Sequence, residues 1–212
     1  FLTHSFNLKP DTREWDFLAK QFEEAYAMKD HLTHVSPRVQ NRNLPYTPVA
    51  PSDTMQNEPD TDFDLSQNQE WVRRIFAKWK KSGTEEPEII PLQIGAETVV
   101  CKNRYKYLDR CQNDEVCICE MSQADSAQVE KIIEIAETDP AGWRKTTLEE
   151  RHRIMYEAAN RLADMRGDLI GCMCAVTGKT VIEGDVEVSE AVDYARFYTT
   201  AMKKFAALDD IE

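Results

Sequence analysis

From Trp143 to Phe205 the apolar residues recur at three- and four-residue spacing through two helical blocks that meet at Thr177-Gly178-Lys179, and this stretch constrains the fold most. Thr147-Leu148-Glu149-Glu150 forms a capping box, opening a helix with Ile154, Met155, Ala158 and Leu162 on one side and Gly167 as its stop. Asp168 restarts the chain, and Leu169 to Val176 reads as a nearly all-apolar helix closed by Gly178. A last helix from about Glu183 carries Val188, Ala191, Val192, Ala195, Tyr198, Met202 and Phe205. The rest of the chain leads into this block.

Upstream, Asp11 or Thr12 can cap a helix in which Trp15, Leu18, Phe22 and Ala25 or Tyr26 share a stripe, ending near Lys29 to Leu32. One apolar stripe on an acidic helix implies a partner surface. Ser36 to Pro59 holds five of the nine prolines and no periodicity, which predicts a linker, ordered if it runs over a neighbouring surface. Ser66-Gln67-Asn68-Gln69 has the capping-box pattern for a helix through Lys81 with Trp71, Ile75 and Trp79 on one face, Val72 and Phe76 beside them, and Ser82-Gly83 as its end. The short β-branched or aromatic segments Ile89 to Ile94, Glu97 to Cys101, Tyr105 to Leu108 and Glu115 to Met121 predict a small antiparallel ribbon, turning at Gly95 and Asn113-Asp114. Ser122 then opens a helix with Val129, Ile132, Ile133 and Ala136 inward, ended by Asp139-Pro140. The fold class expected is α+β, mostly helical, with amphipathic helices and a small ribbon.

The formal charge, 26 − 38 = −12, is spread along the chain. Binding to nucleic acid or an anionic membrane surface needs clustered Lys and Arg, so both are disfavoured. No run reaches the roughly 18 to 20 apolar residues of a membrane span, and no signal-peptide pattern opens the chain, so a cytoplasmic protein is expected. The chain starts at Phe1 and stops after Leu208-Asp209-Asp210-Ile211-Glu212 without a terminal signal, which suggests a piece cut at both ends.

The motifs that could carry chemistry each have a duller and better-supported reading. Gly178-Lys179-Thr180 resembles the end of a phosphate-binding loop, but the glycine needed five residues before Gly178 is Met173, and the preceding stretch is apolar helix. A helix-ending glycine with a dipole-favoured lysine fits better. Asp60, Asp62 and Asp64 start like a calcium loop, yet its sixth and twelfth positions hold Leu65 and Trp71. A solvated acidic lead-in to a helix is the better account. Cys101, Cys111, Cys117, Cys119, Cys172 and Cys174 lack zinc spacing and read as reduced, buried thiols. His31 and His34 read as surface residues. No Gly-x-Gly occurs, so a dinucleotide fingerprint is missing. No residue is assigned a catalytic, cofactor-binding or metal-ligating role.

Ala141-Gly142-Trp143, Thr147 to Arg151, Ala158 to Leu162, Gly178-Lys179, and Glu187-Val188 through Ala191, Asp193 and Tyr198 resemble, in that order, the N-terminal helical region of the aldehyde dehydrogenase superfamily. The ribbon from Pro91 to Met121 is similar to the strands that precede it there. Asn57-Glu58-Pro59-Asp60-Thr61-Asp62-Phe63, followed by Asn68 and Trp71, resembles the junction of bifunctional proline utilisation A enzymes. In those, a flavin-dependent proline dehydrogenase barrel precedes an NAD-dependent dehydrogenase of L-glutamate γ-semialdehyde.

The resemblance implies residues 1–35 as the helical tail of a preceding domain, 36–65 as a proline-rich linker, and 66–212 as the N-terminal part of an NAD domain. It implies NAD for the parent enzyme, FAD where a proline dehydrogenase domain precedes, and neither bound to this chain alone. The family's nucleophilic cysteine, general-base glutamate, oxyanion asparagine and main NAD loop lie after the matched region. Cys172 and Cys174 therefore inherit no role. The expected partners are the remainder of the same polypeptide and a second copy. Two other readings are a free-standing interaction module using the Trp15 and Trp71 helices, and a cysteine metal site.

Overall fold

The computed structural model describes residues 9–33, 35–80, 86–112 and 116–208. Ser82-Gly83, Asn113-Asp114, His34 and Asp209 to Glu212, all singled out above, lie outside the described residues. The chain divides into two compact units, Phe1–Val39 and Gln40–Glu212.

In the first unit, α1 (Arg13–Ala27) starts at Thr12, whose hydroxyl accepts from the Trp15 amide at 3.3 Å, and a 3-10 turn, Lys29–His31, follows it. The predicted stripe forms, with the Phe22 and Tyr26 rings stacked at 6.3 Å, but no residue of α1 is buried.

The second unit is built on α4 (Leu148–Asp164), α5 (Arg166–Thr177) and α6 (Val181–Ala206), joined by tight turns. Ala159 and Ala163 from α4, Ile170 and Cys174 from α5, and Val188, Val192 and Ala195 from α6 form the core. Small side chains at the contacts let the helix backbones approach closely. Gly178, at φ +72°, closes α5 with its amide on the Cys174 carbonyl, as expected of a helix-ending glycine. Thr180 then caps α6 in a reciprocal box with Glu183, two residues earlier than the apolar pattern suggests.

Gly167 does not stop a helix. It lies inside α5, which begins at Arg166 directly after the Met165 cap of α4. Its role is spatial: α2 (Ser66–Trp79) lays Trp71, Ile75 and Trp79, spaced by four, over Gly167 and Gly171 of α5. This is a ridge of large side chains in a groove that two glycines keep open. The predicted face of α2 is therefore correct, but its predicted cap is not. Leu65 occupies the N-cap position with no side-chain bond, and Ser66 is already helical. Asn68 is fully buried instead, its amide held by Gln40 and the Asp62 carbonyl. A side chain committed inward to a neighbouring segment overrides the local capping pattern.

Two small sheets precede the bundle. β1 (Glu88–Ile90), β4 (Arg104–Leu108) and β5 (Cys117–Ser122) form one, in the order β1-β5-β4, while β2 (Leu92–Ile94) and β3 (Glu97–Val99) form an antiparallel hairpin turning at Gly95. The antiparallel ribbon is present in β2/β3 and β4/β5, and β1 adds a parallel edge to β5 with Ile90 beside Met121. Pro91 separates β1 from β2 because it has no amide to continue a ladder, so the single predicted strand Ile89 to Ile94 splits between two sheets.

After β5, Ser122 is the last strand residue, and Asp125 with Gln128 forms the capping box of α3 (Ser126–Thr138). The predicted inward face of α3 is reversed. Val129, Ile132 and Ile133 are 42 to 47% exposed, whereas Gln128 bonds Cys101, Lys131 pairs with Glu97, and Ile135 packs on Gly95. α3 is attached through Gln128, Lys131 and Ile135, and the side with Val129, Ile132 and Ile133 stays uncovered. No helix among the described residues is long and apolar enough to cross a membrane.

Candidate functional site

A cluster of buried charges where residues 40–65 cross the helical bundle is the most constrained site in the second unit. Asp185, Ser189 and Arg196 project from the core-facing side of α6, Arg166 enters from the first turn of α5, and Glu58 and Thr61 come from the proline-rich segment. Arg166 donates from Nη1 to the Asp185 carboxylate at 2.8 Å and from Nη2 to Glu58 at 3.3 Å and to Ser189 Oγ at 3.1 Å. Arg196 donates to the other Glu58 oxygen at 3.1 Å and to the Tyr46 hydroxyl at 3.0 Å. Asp185 accepts from both the amide and the hydroxyl of Thr61, each at 2.6 Å.

Half-buried groups close the network. Arg42 donates to Thr61 Oγ1 and lies near Glu58, and burial pushes its guanidinium below its ordinary value, with Arg166 adding to the effect. Tyr46 donates on to Asn160 at 3.0 Å, and burial followed by the Glu58 charge raises its phenol. Asn160 also clasps the Val49 backbone from both sides, and Asp193 accepts from the Glu58 amide and the Asn57 side chain. Every carboxylate here faces donors, and the guanidinium forks point inward. The cluster can fasten a segment in one register; it offers no free nucleophile or base.

The sequence assigned none of these residues a role, although Asn57, Glu58, Thr61, Asn160 and Asp193 fall within the segments that carry the family resemblance. A signal existed, because Asp185, Ser189 and Arg196 share the face that carries Val188, Val192 and Ala195, and polar groups on a core face must find partners. The partner of both arginines, Glu58, sits more than 100 positions away in sequence, and periodicity says nothing about it.

The residues that the sequence did single out are occupied elsewhere. At the Gly178-Lys179-Thr180 turn the Gly178 and Thr180 amides are committed to Cys174 and Glu183, and Lys179 pairs with Glu187. Asp62 accepts from the Asp64 amide in a local turn, between a buried Thr61 and a half-buried Phe63. Cys117 and Cys119 flank the buried Ile118 on one side of β5, the Cys111 thiol points at the Cys174 carbonyl at 3.4 Å, and no disulfide joins any of the six cysteines. Cys111 is exposed, unlike the buried thiol expected there. Burial pushes the Cys172 and Cys174 thiols up, with Cys111 adding to the shift at Cys174. That is the opposite of what activates a nucleophilic cysteine. His31 is exposed. Among the described residues no group of three or more His, Cys, Asp or Glu side chains is placed to hold a metal ion.

Sequence comparison gives this architecture its family. The profile of the Aldehyde dehydrogenase family matches residues 101–210, just over half of the chain. The chain belongs to the aldehyde dehydrogenase family. Its family relatives include the 1-pyrroline-5-carboxylate dehydrogenases of Geobacillus sp. (strain WCH70), 30% identical over 149 residues, and Bacillus pumilus (strain SAFR-032), 26% identical over 151 residues. The matches cover 70 and 71% of the chain but only 28% of each relative. Solved structures of the family fold agree. A 1-pyrroline-5-carboxylate dehydrogenase from Thermus with bound NAD superposes with a TM-score of 0.67 at 23% identity over 75% of this chain and 30% of its own. Proline utilization A from Bdellovibrio bacteriovorus, inactivated by N-propargylglycine, gives 0.66 at 21% identity over 82% of this chain and 17% of its own.

One further buried group in this aldehyde dehydrogenase-family bundle carries a pH dependence. His152 on α4 is 3% exposed, its ring lies 4.7 Å from that of Tyr156, and its Nε2 has no hydrogen-bond partner. Burial lowers its pKa most, and the Lys203 charge adds to this against the opposing pull of Asp53, Ser52 and Glu149. The unfolded chain then binds a proton that the folded chain refuses, so stability falls as pH drops through the ordinary histidine range near 6.5. Urea midpoints are expected to fall between about pH 7.5 and 5.5 in the parent and to flatten in His152→Gln. Equal slopes in the two proteins would rule out His152 as the cause.

Proposed function

We propose that the chain is part of an NAD-dependent 1-pyrroline-5-carboxylate dehydrogenase, which oxidises L-glutamate γ-semialdehyde to glutamate in proline breakdown. The observation that carries this reading is the match of 70% of the chain to enzymes of that name, at up to 30% identity among those given above. On this reading residues 66–212 are the helical and ribbon part of the dehydrogenase domain, residues 36–65 tie it to what precedes, and residues 1–35 are the end of a preceding domain. FAD belongs to the parent only where that domain is a proline dehydrogenase. The parent is cytoplasmic and homo-oligomeric.

NAD accepts a hydride when bound to such an enzyme. The described residues do not fit it. They offer no glycine-rich phosphate cradle, and the amides at Gly178 and Thr180 are already used as caps. The reacting groups are therefore assigned to other parts of the polypeptide, and this chain's share is architectural. The uncovered apolar sides of α3 and α6, with Tyr194, Phe197, Tyr198 and Phe205 each about half exposed or more, support that share because they are surfaces built to be covered.

Incubating the full gene product with L-glutamate γ-semialdehyde and NAD is expected to produce NADH absorbance, which these 212 residues alone should not. A gene product of the same 24.4 kDa mass with no NAD reduction would favour a helical interaction module instead.

A further inference from the structure

We infer that Cys111 and Cys174 are a peroxide-sensitive thiol pair, joined by oxidation into a reversible disulfide that pins the turn between β4 and β5 to the end of α5. Cys111 lies in a 3-10 turn, Arg110–Gln112, which directly follows Asp109. The Asp109 carboxylate, on a residue only 3% exposed, holds this turn by accepting from the Cys111 amide at 2.8 Å and from the Gln112 side chain at 2.7 Å. The Asp109 amide is itself fixed to the Val116 carbonyl at 2.8 Å. The turn rests on the last part of α5. The Cys111 thiol donates to the Cys174 carbonyl at 3.4 Å, and a Cβ placed on Gly178 would meet Arg110 Cβ at 3.5 Å. One thiol therefore sits against the backbone of the residue that carries the other.

Both cysteines also line one cavity of about 430 Å³, together with Phe76 and Trp79 of α2 and Gly171 of α5. None of the other four cysteines lines it, and Cys101 and Cys117 are engaged with Gln128 and the Cys119 carbonyl. The two thiols differ in access, because Cys111 is exposed and Cys174 is 5% exposed. That difference orders the chemistry. The Cys111 sulfur attacks one peroxide oxygen, the O–O bond breaks, and the departing hydroxide takes the thiol proton to leave as water, with Cys111 now a sulfenic acid. The Cys174 sulfur then attacks the Cys111 sulfur, the S–O bond breaks, and the hydroxyl leaves with the Cys174 proton as a second water. Two electrons pass from the thiols to the peroxide. Cys174, buried and with its thiol pushed up by that burial, is a poor first target and acts as the resolving partner. In a reducing compartment such a link is transient and signals oxidant.

Brief treatment of the protein with hydrogen peroxide, alkylation of the remaining thiols and peptide mapping test this. The expected result is a mass lower by about 2 Da, with Cys111–Cys174 as the dominant linked pair, reversed by dithiothreitol. The oxidised protein should unfold at higher urea than the reduced one, because the link restricts the unfolded chain. Cys111→Ser, a change at an exposed position, is expected to abolish both the link and the rise in urea midpoint. Cys174→Ala, which keeps a small apolar group in the core, should stop the reaction at a Cys111 sulfenic acid that dimedone traps. A dominant Cys117–Cys119 link would overturn the inference. So would a pattern of pairing that is the same in urea as in native buffer, since the selectivity would then owe nothing to the fold. Oxidation of Cys111 in the parent without any link to Cys174 would overturn it as well. None of these outcomes bears on NAD reduction by the gene product.

Discussion

Glu58→Ala is expected to lower the unfolding free energy by roughly 3–5 kcal/mol, the cost of stranding a buried charge. The Glu58 side chain is 4% exposed and serves Arg166 and Arg196, whose side chains are 2 and 4% exposed. Removing it leaves two guanidinium groups out of water with only Asp185, Ser189 and Tyr46 as partners. Neither Arg Nε has a bond to compensate. Domains of this kind have only about 5–15 kcal/mol in total, so the variant should unfold at much lower urea with an unchanged m-value. Glu58→Gln, which keeps an acceptor, should cost less. Replacing Glu58, Arg166 and Arg196 together by Leu and Met should remain costly, because the buried Asp185 carboxylate then keeps hydrogen bonds only from Thr61. A Glu58→Ala loss below about 1 kcal/mol would show that residues 40–65 are not held by this network.

Gly171→Ala is expected to destabilise the chain by about 1–3 kcal/mol, although alanine is the better helix former by roughly 1 kcal/mol. A Cβ at Gly171 would stand 2.1 Å from Trp79 Cδ1 and 2.5 Å from Cγ and Nε1, so the whole ring must swing away. The ring also donates to Asp168 at 3.2 Å, beside the Lys78–Asp168 ion pair, and moving it breaks that bond. Trp79→Leu in the same background should recover some of the loss by emptying the space. Thermal unfolding of the two single variants and the double variant gives the coupling. Gly171→Ala alone raising Tm would mean that α2 does not pack as described. Gly178→Ala is strained for a different reason, its φ of +72°, and meets no such contact.

Much of the bundle was legible because its signals are local. Thr12, Thr147 and Gly178 mark helix ends through groups within four residues of themselves, and the face of α2 follows from spacing alone. Errors appear where a local pattern competes with a distant partner. Ser66 lost its capping role to the buried Asn68, and Gly167 was needed as a groove for Trp71 and Ile75. On α3 the side that meets Cys101, Glu97 and Gly95 is not the one the apolar spacing marks.

The sequence by itself determined the helical class, the order of elements and the family resemblance, since each depends on residue types at short, regular spacing. Only the tertiary structure decided that Glu58 would meet Arg166 and Arg196, that the strands on either side of Pro91 would join different sheets, and that α6 would keep an aromatic side uncovered. Burial and charge pairing are set by which surfaces meet. A helix with two apolar sides does not say which of them the core takes.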